Sequence, residues 1–241
     1  MAFNSKRDLV YMILAGVFIT NAITAEMIGG KIIHVWGFTL SVGIVPWPVV
    51  FLTTDIINEY FGKAGVRKLS VITASLIAYV FILLWFAGMI PAFSYNTVSQ
   101  VSDDQFHAVF GQSQLIIIGS IIAFLVSQMI DLSLFWVFRK LTGEKMIWLR
   151  STGSTVISQL FDSFIVTGIA FWLPGKWSTD TYLTASSHGY IFKLILAVSL
   201  TPLIYIIHAA IRKYLGHEAE ALVHHSAIHE GAEKKVEELV N

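Results

Sequence analysis

The sequence predicts an all-α integral membrane protein with six transmembrane helices, and three observations predict it. Of its 241 residues, 55% are hydrophobic and only 13% charged, with a mean hydropathy of +0.69, whereas a soluble domain carries about a quarter charged residues. The apolar residues fall in runs of about 20, the length a helix needs to cross a bilayer. Lys and Arg gather at alternate ends of those runs.

The spans are expected at roughly 9–28, 38–61, 69–90, 115–138, 152–173 and 189–211. Met1 to Asp8 is polar and leads into a run longer than the apolar region of a signal peptide, so it reads as a retained first helix. In the second span Pro46 and Pro48 interrupt the hydrogen-bond ladder, which predicts a broken or kinked helix shielded from lipid. With the N-terminus inside, eleven cations lie at cytoplasmic ends: Lys6, Arg7, Lys63, Arg67, Lys68, Arg139, Lys140, Lys145, Arg150, Arg212 and Lys213. The other face holds Lys31 and Lys176. The positive-inside rule then places both termini in the cytoplasm, in a membrane crossed several times.

Between spans three and four, Ser102 followed by Asp103 and Asp104 is placed to cap a short helix carrying Phe106, Val109 and Phe110. Trp36, Trp47, Trp148, Trp172 and Trp177 fall near span ends, as interface anchors do. After Leu215 the composition turns to Glu, His, Lys and Ala, so the chain divides into a membrane domain, 1–213, and a polar cytosolic tail, 214–241. The tail is expected to be solvated and dispensable after Lys213. Its His224, His225 and His229 have ligand-like spacing, yet exposed histidines are ordinarily solvated, and no metal or cofactor is expected. The zero net charge carries no nucleic-acid footprint. Cysteine is absent, which removes disulfides and thiol chemistry.

The polar residues inside the spans carry the functional argument. A carboxylate at the centre of a membrane helix costs about 2.5–3.5 kcal/mol on insertion scales, so it reads as functional unless shown otherwise. Ser127, Gln128 and Asp131 form a Ser-Gln-x-x-Asp pattern that returns as Ser158, Gln159 and Asp162. At i, i+3 and i+4 each set shares one helix face. Asp55 is accompanied by Thr54 and Asn58. Each of these side chains also reads as interhelical glue, as does Asn21. Glu26 and Lys193 sit toward outer helix ends, where a mutual pair or snorkelling would satisfy them. Glu59, Lys63, Arg67 and Lys68 read as pairing at the membrane surface. Carboxylates and amides beside Phe51, Tyr60, Phe135, Phe161, Phe164, Tyr190 and Phe192 suit a flat, uncharged, polar-edged ligand, although single aromatics are more often packing.

The run from Phe51 through Asp55, Asn58 and Glu59 to Gly62, the pairs Gln128-x-x-Asp131 and Gln159-x-x-Asp162, and the late Tyr190-Ile-Phe-Lys193 resemble the queuosine precursor transporter family, also called the vitamin uptake transporter family. The resemblance covers about residues 9–213. It implies a six-helix, multi-pass protein of the cell inner membrane, not an enzyme, that imports 7-cyano-7-deazaguanine, its 7-aminomethyl counterpart, or both. It implies binding positions at Asp55, Gln128, Asp131, Gln159, Asp162 and Lys193, while Asn58, Tyr190, Asn21 and Glu26 join the candidate set from the reading of the spans. Asp131 or Asp162 is expected to take the two adjacent donors of the base. The partners are a deazaguanine base and the bilayer, with no nucleic acid, and a homodimer is open to a protein this small. Two alternatives stand beside this reading. One is the substrate-capturing subunit of an energy-coupling-factor importer. The other is an intramembrane aspartyl hydrolase with Asp131 and Asp162 as its dyad. No P-loop is present.

Overall fold

A computed structural model describes residues 5–29, 31–93, 96, 98–111, 114–142, 146–224 and 226. Apolar runs without internal breakers form its helices. They are α1 (Lys6–Ile28), α2 (Trp47–Gly88), α3 (Asp103–Phe110), α4 (Gln114–Thr142), α5 (Ile147–Thr167), α6 (Thr179–Ser199) and α7 (Thr201–Leu215). A last helical stretch, α8, occupies residues 217–224. Two short antiparallel strands, β1 (Ile32–Val35) and β2 (Phe38–Ser41), pair Ile33 with Leu40 and Val35 with Phe38 between α1 and α2. Their turn places Trp36 and Gly37 at positive φ, as a tight hairpin demands.

Pro46 and Pro48 do not kink a span. Pro46 caps α2 and Pro48 lies in its first turn, where the N–H that proline lacks has no helical partner anyway. The residues before them, expected to be helical from 38, form β2 and a short 3₁₀ turn. The break comes later, at Gly62, whose φ of 72° and ψ of 179° lie outside the helical region. Without a Cβ, glycine takes that conformation at little cost. Its 42 residues would make an unbroken helix about 63 Å long, twice the hydrocarbon thickness of a bilayer. The Gly62 break divides this length into residues 47–61 and 63–88.

The last expected span is also different. It begins ten residues earlier, at Thr179, and bends by 43° between α6 and α7. Pro202 in the first turn of α7 explains the break, since a proline cannot continue the preceding ladder. Among the described residues, four helices are long and apolar enough to cross a membrane, or five when the α6–α7 pair counts as one crossing. The expected loop helix is present as α3, with Ser102 and Gln105 capping each other reciprocally.

The helices α4 and α5 form the most extensive pair, α1 lies along α2, and α6 flanks α5. One core joins Phe18, Val50, Ile57, Ile77, Phe124, Leu132 and Phe135. A second joins Val10, Leu52, Ile56, Tyr60 and Ile211 to Leu215, Ala219, Leu222 and Val223. Leu215, Ala219, Leu222, Val223 and Ser226 are therefore packed rather than solvated. The apolar positions of α8 recur at 219, 222 and 223, one helical face, and Arg139 Nη2 donates to the Val223 carbonyl at 3.0 Å. Ser226 Oγ sits 3.0 Å from the Glu59 carbonyl and 3.4 Å from Arg139 Nη1. His225 and His229 lie outside the described residues. Truncation after Leu215 is accordingly expected to lower stability by about 2–4 kcal/mol, from one hydrogen bond to a charged group plus lost apolar burial. A thermal melt of the truncated protein in detergent checks this, and an unchanged melting temperature would refute it.

Candidate functional site

The site is built on α4 and α5, which run antiparallel, and on the halves of α2 and α6 that face them. The repeated Ser-Gln-x-x-Asp pattern explains the pairing. Ser127 of the first copy donates to Asp162 of the second at 3.3 Å, and Ser158 of the second donates to Asp131 of the first at 3.1 Å. The two motifs thus clasp each other reciprocally across a local two-fold relation. Shared helical spacing made each motif a face, and the antiparallel register sets those faces together.

Asp131 is the more heavily solvated by protein. Its Oδ1 lies within hydrogen-bond distance of Ser154 (2.9 Å), Thr155 (3.3 Å) and Ser158. These hydroxyls, with Ser151, recur at 151, 154, 155 and 158, an i, i+3, i+4, i+7 stripe on α5 that is visible in the sequence but was not among the expected site residues. Asp162 is handled differently. Lys193 of α6 forms an ion pair with its Oδ2, so the lysine reaches inward instead of pairing with Glu26 or snorkelling. Glu26 lies near Ser120 and within electrostatic reach of Asp162 and Lys193.

On the α2 side, Gln128 Nε2 donates to Thr54 Oγ1 at 3.0 Å and Trp136 Nε1 donates to Asn58 Oδ1 at 2.9 Å. Ser151 donates to Asp55 Oδ2. Asp55, Asn58, Gln128, Asp131, Gln159 and Asp162 are all buried. Buried polar atoms are nearly always hydrogen-bonded, yet Asp55 Oδ1, Asn58 Nδ2, Gln159 Oε1 and Ser163 Oγ have no partner among the described residues. One carboxylate acceptor, one amide acceptor, one amide donor and a hydroxyl are left for something else to satisfy. Asn21 is outside this group, since its Nδ2 donates to Val17 of its own helix at 2.9 Å. Tyr190 is half-buried on α6 and takes part in none of these bonds. Phe161 points outward, 45% exposed, and leaves the expected aromatic set, while Phe135 and Tyr60 are core.

Toward the Gly62 end a second charged layer closes the interior. Glu59 is not at a surface. It is 2% exposed and accepts from Arg150 Nη2 at 2.6 Å, with Arg139 Nη1 at 3.9 Å. Arg139 stacks over Trp136 at 4.6 Å and Arg150 over Phe135 at 5.9 Å. The sequence counted both arginines as interface cations, and their burial was missed because an apolar helix can begin with either a snorkelling or a buried cation. Among the described residues, no group of three or more acidic or histidine side chains is arranged to hold a metal ion.

Comparison with known proteins decides what kind of protein holds such an interior. The family described as "Putative vitamin uptake transporter" matches residues 41–207, a region that contains Asp55, Asn58, Glu59, Gln128, Asp131, Gln159, Asp162 and Lys193 but not Glu26. The chain belongs to this family. It is a multi-pass membrane transporter and not an enzyme. It is 33% identical over 177 residues, 73% of each chain, to the "Probable queuosine precursor transporter" of Bacillus subtilis (strain 168). It is 25% identical over 170 residues, 69% of this chain and 71% of the other, to the "Queuosine precursor transporter" of Escherichia coli (strain K12). A "Probable queuosine precursor transporter" of Haemophilus influenzae (strain ATCC 51907 / DSM 11121 / KW20 / Rd) is 27% identical over 169 residues, 68% of this chain and 66% of the other. No solved structure matches the chain.

Proposed function

We propose that this transporter imports a 7-deazaguanine precursor of queuosine, as 7-cyano-7-deazaguanine, 7-aminomethyl-7-deazaguanine or both, across the inner membrane. The observation that carries the reading is the clasped pair of Ser-Gln-x-x-Asp motifs with unpartnered Gln159 Oε1, Ser163 Oγ and Asn58 Nδ2 around it. The names of the relatives point to the same class of solute. The 2-amino-4-oxo edge of such a base offers two adjacent donors and a carbonyl, which a carboxylate and amides complement.

In this reading Asp162 or Asp131 accepts the paired N–H groups, Gln128, Gln159 and Asn58 serve the remaining edge, and Tyr190 offers a stacking face. Lys193 holds the Asp162 carboxyl in place until the base arrives. Glu26 adds a further carboxylate within electrostatic reach of Asp162 and Lys193. Six crossings follow if residues 47–61 and 63–88 cross separately, and the cation placement then sets both termini in the cytoplasm.

A ligand panel tests the substrate. Purified protein in detergent is expected to melt several degrees higher with 7-deazaguanine bases in excess than without, since a ligand at about 100 times its Kd stabilises by about 2.7 kcal/mol. Sugars and amino acids should leave the melt unmoved. Equal protection by all, or by none, would overturn the assignment.

A further inference from the structure

Asp55 stands apart from the groups just assigned to the base. It faces a crevice between α2, α5 and the break between α6 and α7, lined by Asp55, Ser151, Thr152, Thr155 and Leu200 among others. The crevice has room for about one water-sized sphere. Asp55 is 4% exposed, its Oδ2 accepts from Ser151, and its Oδ1 has no partner. A buried carboxylate oxygen without a donor is expensive, and neutral hydroxyls on the other oxygen do not cancel its charge.

The charges around it do not cancel either. Glu59 on α2 and Asp131 on α4 are both within electrostatic reach of Asp55, and Arg150 on α5 is the cation that faces them. Arg139 on α4 leans on Glu59 from the far side. These five groups comprise three carboxylates and two guanidinium groups. On α6, Lys193 is engaged by Asp162. On α7, His208 Nδ1 is bonded to Tyr60, and Arg212 is exposed and directed at Tyr60. Among the described residues the layer is one positive charge short.

We propose that Asp55 Oδ1, with hydroxyl lone pairs of Ser151 and Thr155, holds a small monovalent cation, sodium or a proton, whose gradient drives the transporter. The inference rests on the transport reading, though not on which base is carried. Hydroxyls that donate to Asp55 and Asp131 keep lone pairs for a hard cation, which prefers oxygen ligands. A broken helix at the site is how transporters commonly free backbone carbonyls for a coupling ion. A tenfold gradient of one such cation is worth about 1.4 kcal/mol, so one bound cation drives up to about tenfold accumulation.

The test uses purified full-length protein in detergent, melted in sodium chloride and in choline chloride of equal ionic strength, at neutral and mildly acidic pH. The wild type is expected to melt higher in sodium than in choline if sodium is bound, or higher on acidification in choline if the proton is. Asp55→Asn should flatten that response and Ser151→Ala should weaken it, whereas Phe161→Leu, on the outward face of α5, should keep it. If Asp55→Asn does not fold, Ser151→Ala carries the comparison. A wild type indifferent to sodium and to pH would mean that water alone fills the crevice, and a full response in Asp55→Asn or an unweakened one in Ser151→Ala would place the cation elsewhere; either result overturns the proposal. Failure of deazaguanine bases to protect the protein would count against the substrate and leave this cation response unchanged.

Discussion

Arg150→Met is expected to destabilise the protein by about 3–5 kcal/mol, the usual cost of stranding one member of a buried ion pair. The guanidinium is 1% exposed and bonds Glu59 at 2.6 Å. Removing it leaves Glu59 with Arg139 alone, 3.9 Å away, beyond normal hydrogen-bond distance. It also withdraws the cation that faces Asp55. The pair itself contributes far less than this figure, because both charges had to leave water to form it. A double variant, Glu59→Gln with Arg150→Met, should therefore recover most of the loss. Thermal or denaturant unfolding in micelles checks both values. Equal losses in the single and double variants would show that Arg150 matters through its packing on Phe135 rather than through its charge.

The same layer shows where sequence reading stops. The twin motifs at 127–131 and 158–162 were legible because helical periodicity alone puts Ser, Gln and Asp on one face. Their convergence was legible too, since two costly carboxylates in neighbouring antiparallel spans are stabilised by facing inward together. What could not be read was which partner each would take. Lys193 chose Asp162 rather than Glu26 because the α5–α6 packing brings them together, and no spacing within either helix encodes that. Glu59 and the two arginines looked like surface charges because each lies near the end of an apolar run. Burial there is decided by α8, whose Ala219, Leu222 and Val223 cover the second core although they are sparse among polar residues. Pro46 and Pro48 were misplaced for a simpler reason. A proline breaks a helix from within and starts one from its first turn, and only the position of the β-hairpin before it tells the two apart.

Asp162→Asn is expected to reduce uptake of the deazaguanine base to background while the protein still reaches the membrane. An amide keeps the shape but presents a donor where the base needs a second acceptor. Losing one hydrogen bond to a charged group, with a donor left facing a donor, costs about 3 kcal/mol, over a hundredfold in affinity. Loss of uptake alone would not separate binding from structure, because the same substitution also strands the Lys193 ammonium, which the wild type holds in an ion pair. The double variant Asp162→Asn with Lys193→Met separates them. It removes both charges from a largely buried site, so stability should return toward wild type. If Asp162 serves only to neutralise Lys193, uptake should return with it. If Asp162 is the acceptor for the base, the double variant should fold, melt near the wild-type temperature and still fail to be protected by the base. Uptake assayed in cells beside the melt in detergent reads both quantities, and restored transport in the double variant would remove Asp162 from the substrate and leave Asp131, with its three hydroxyl donors, as the carboxylate that meets it.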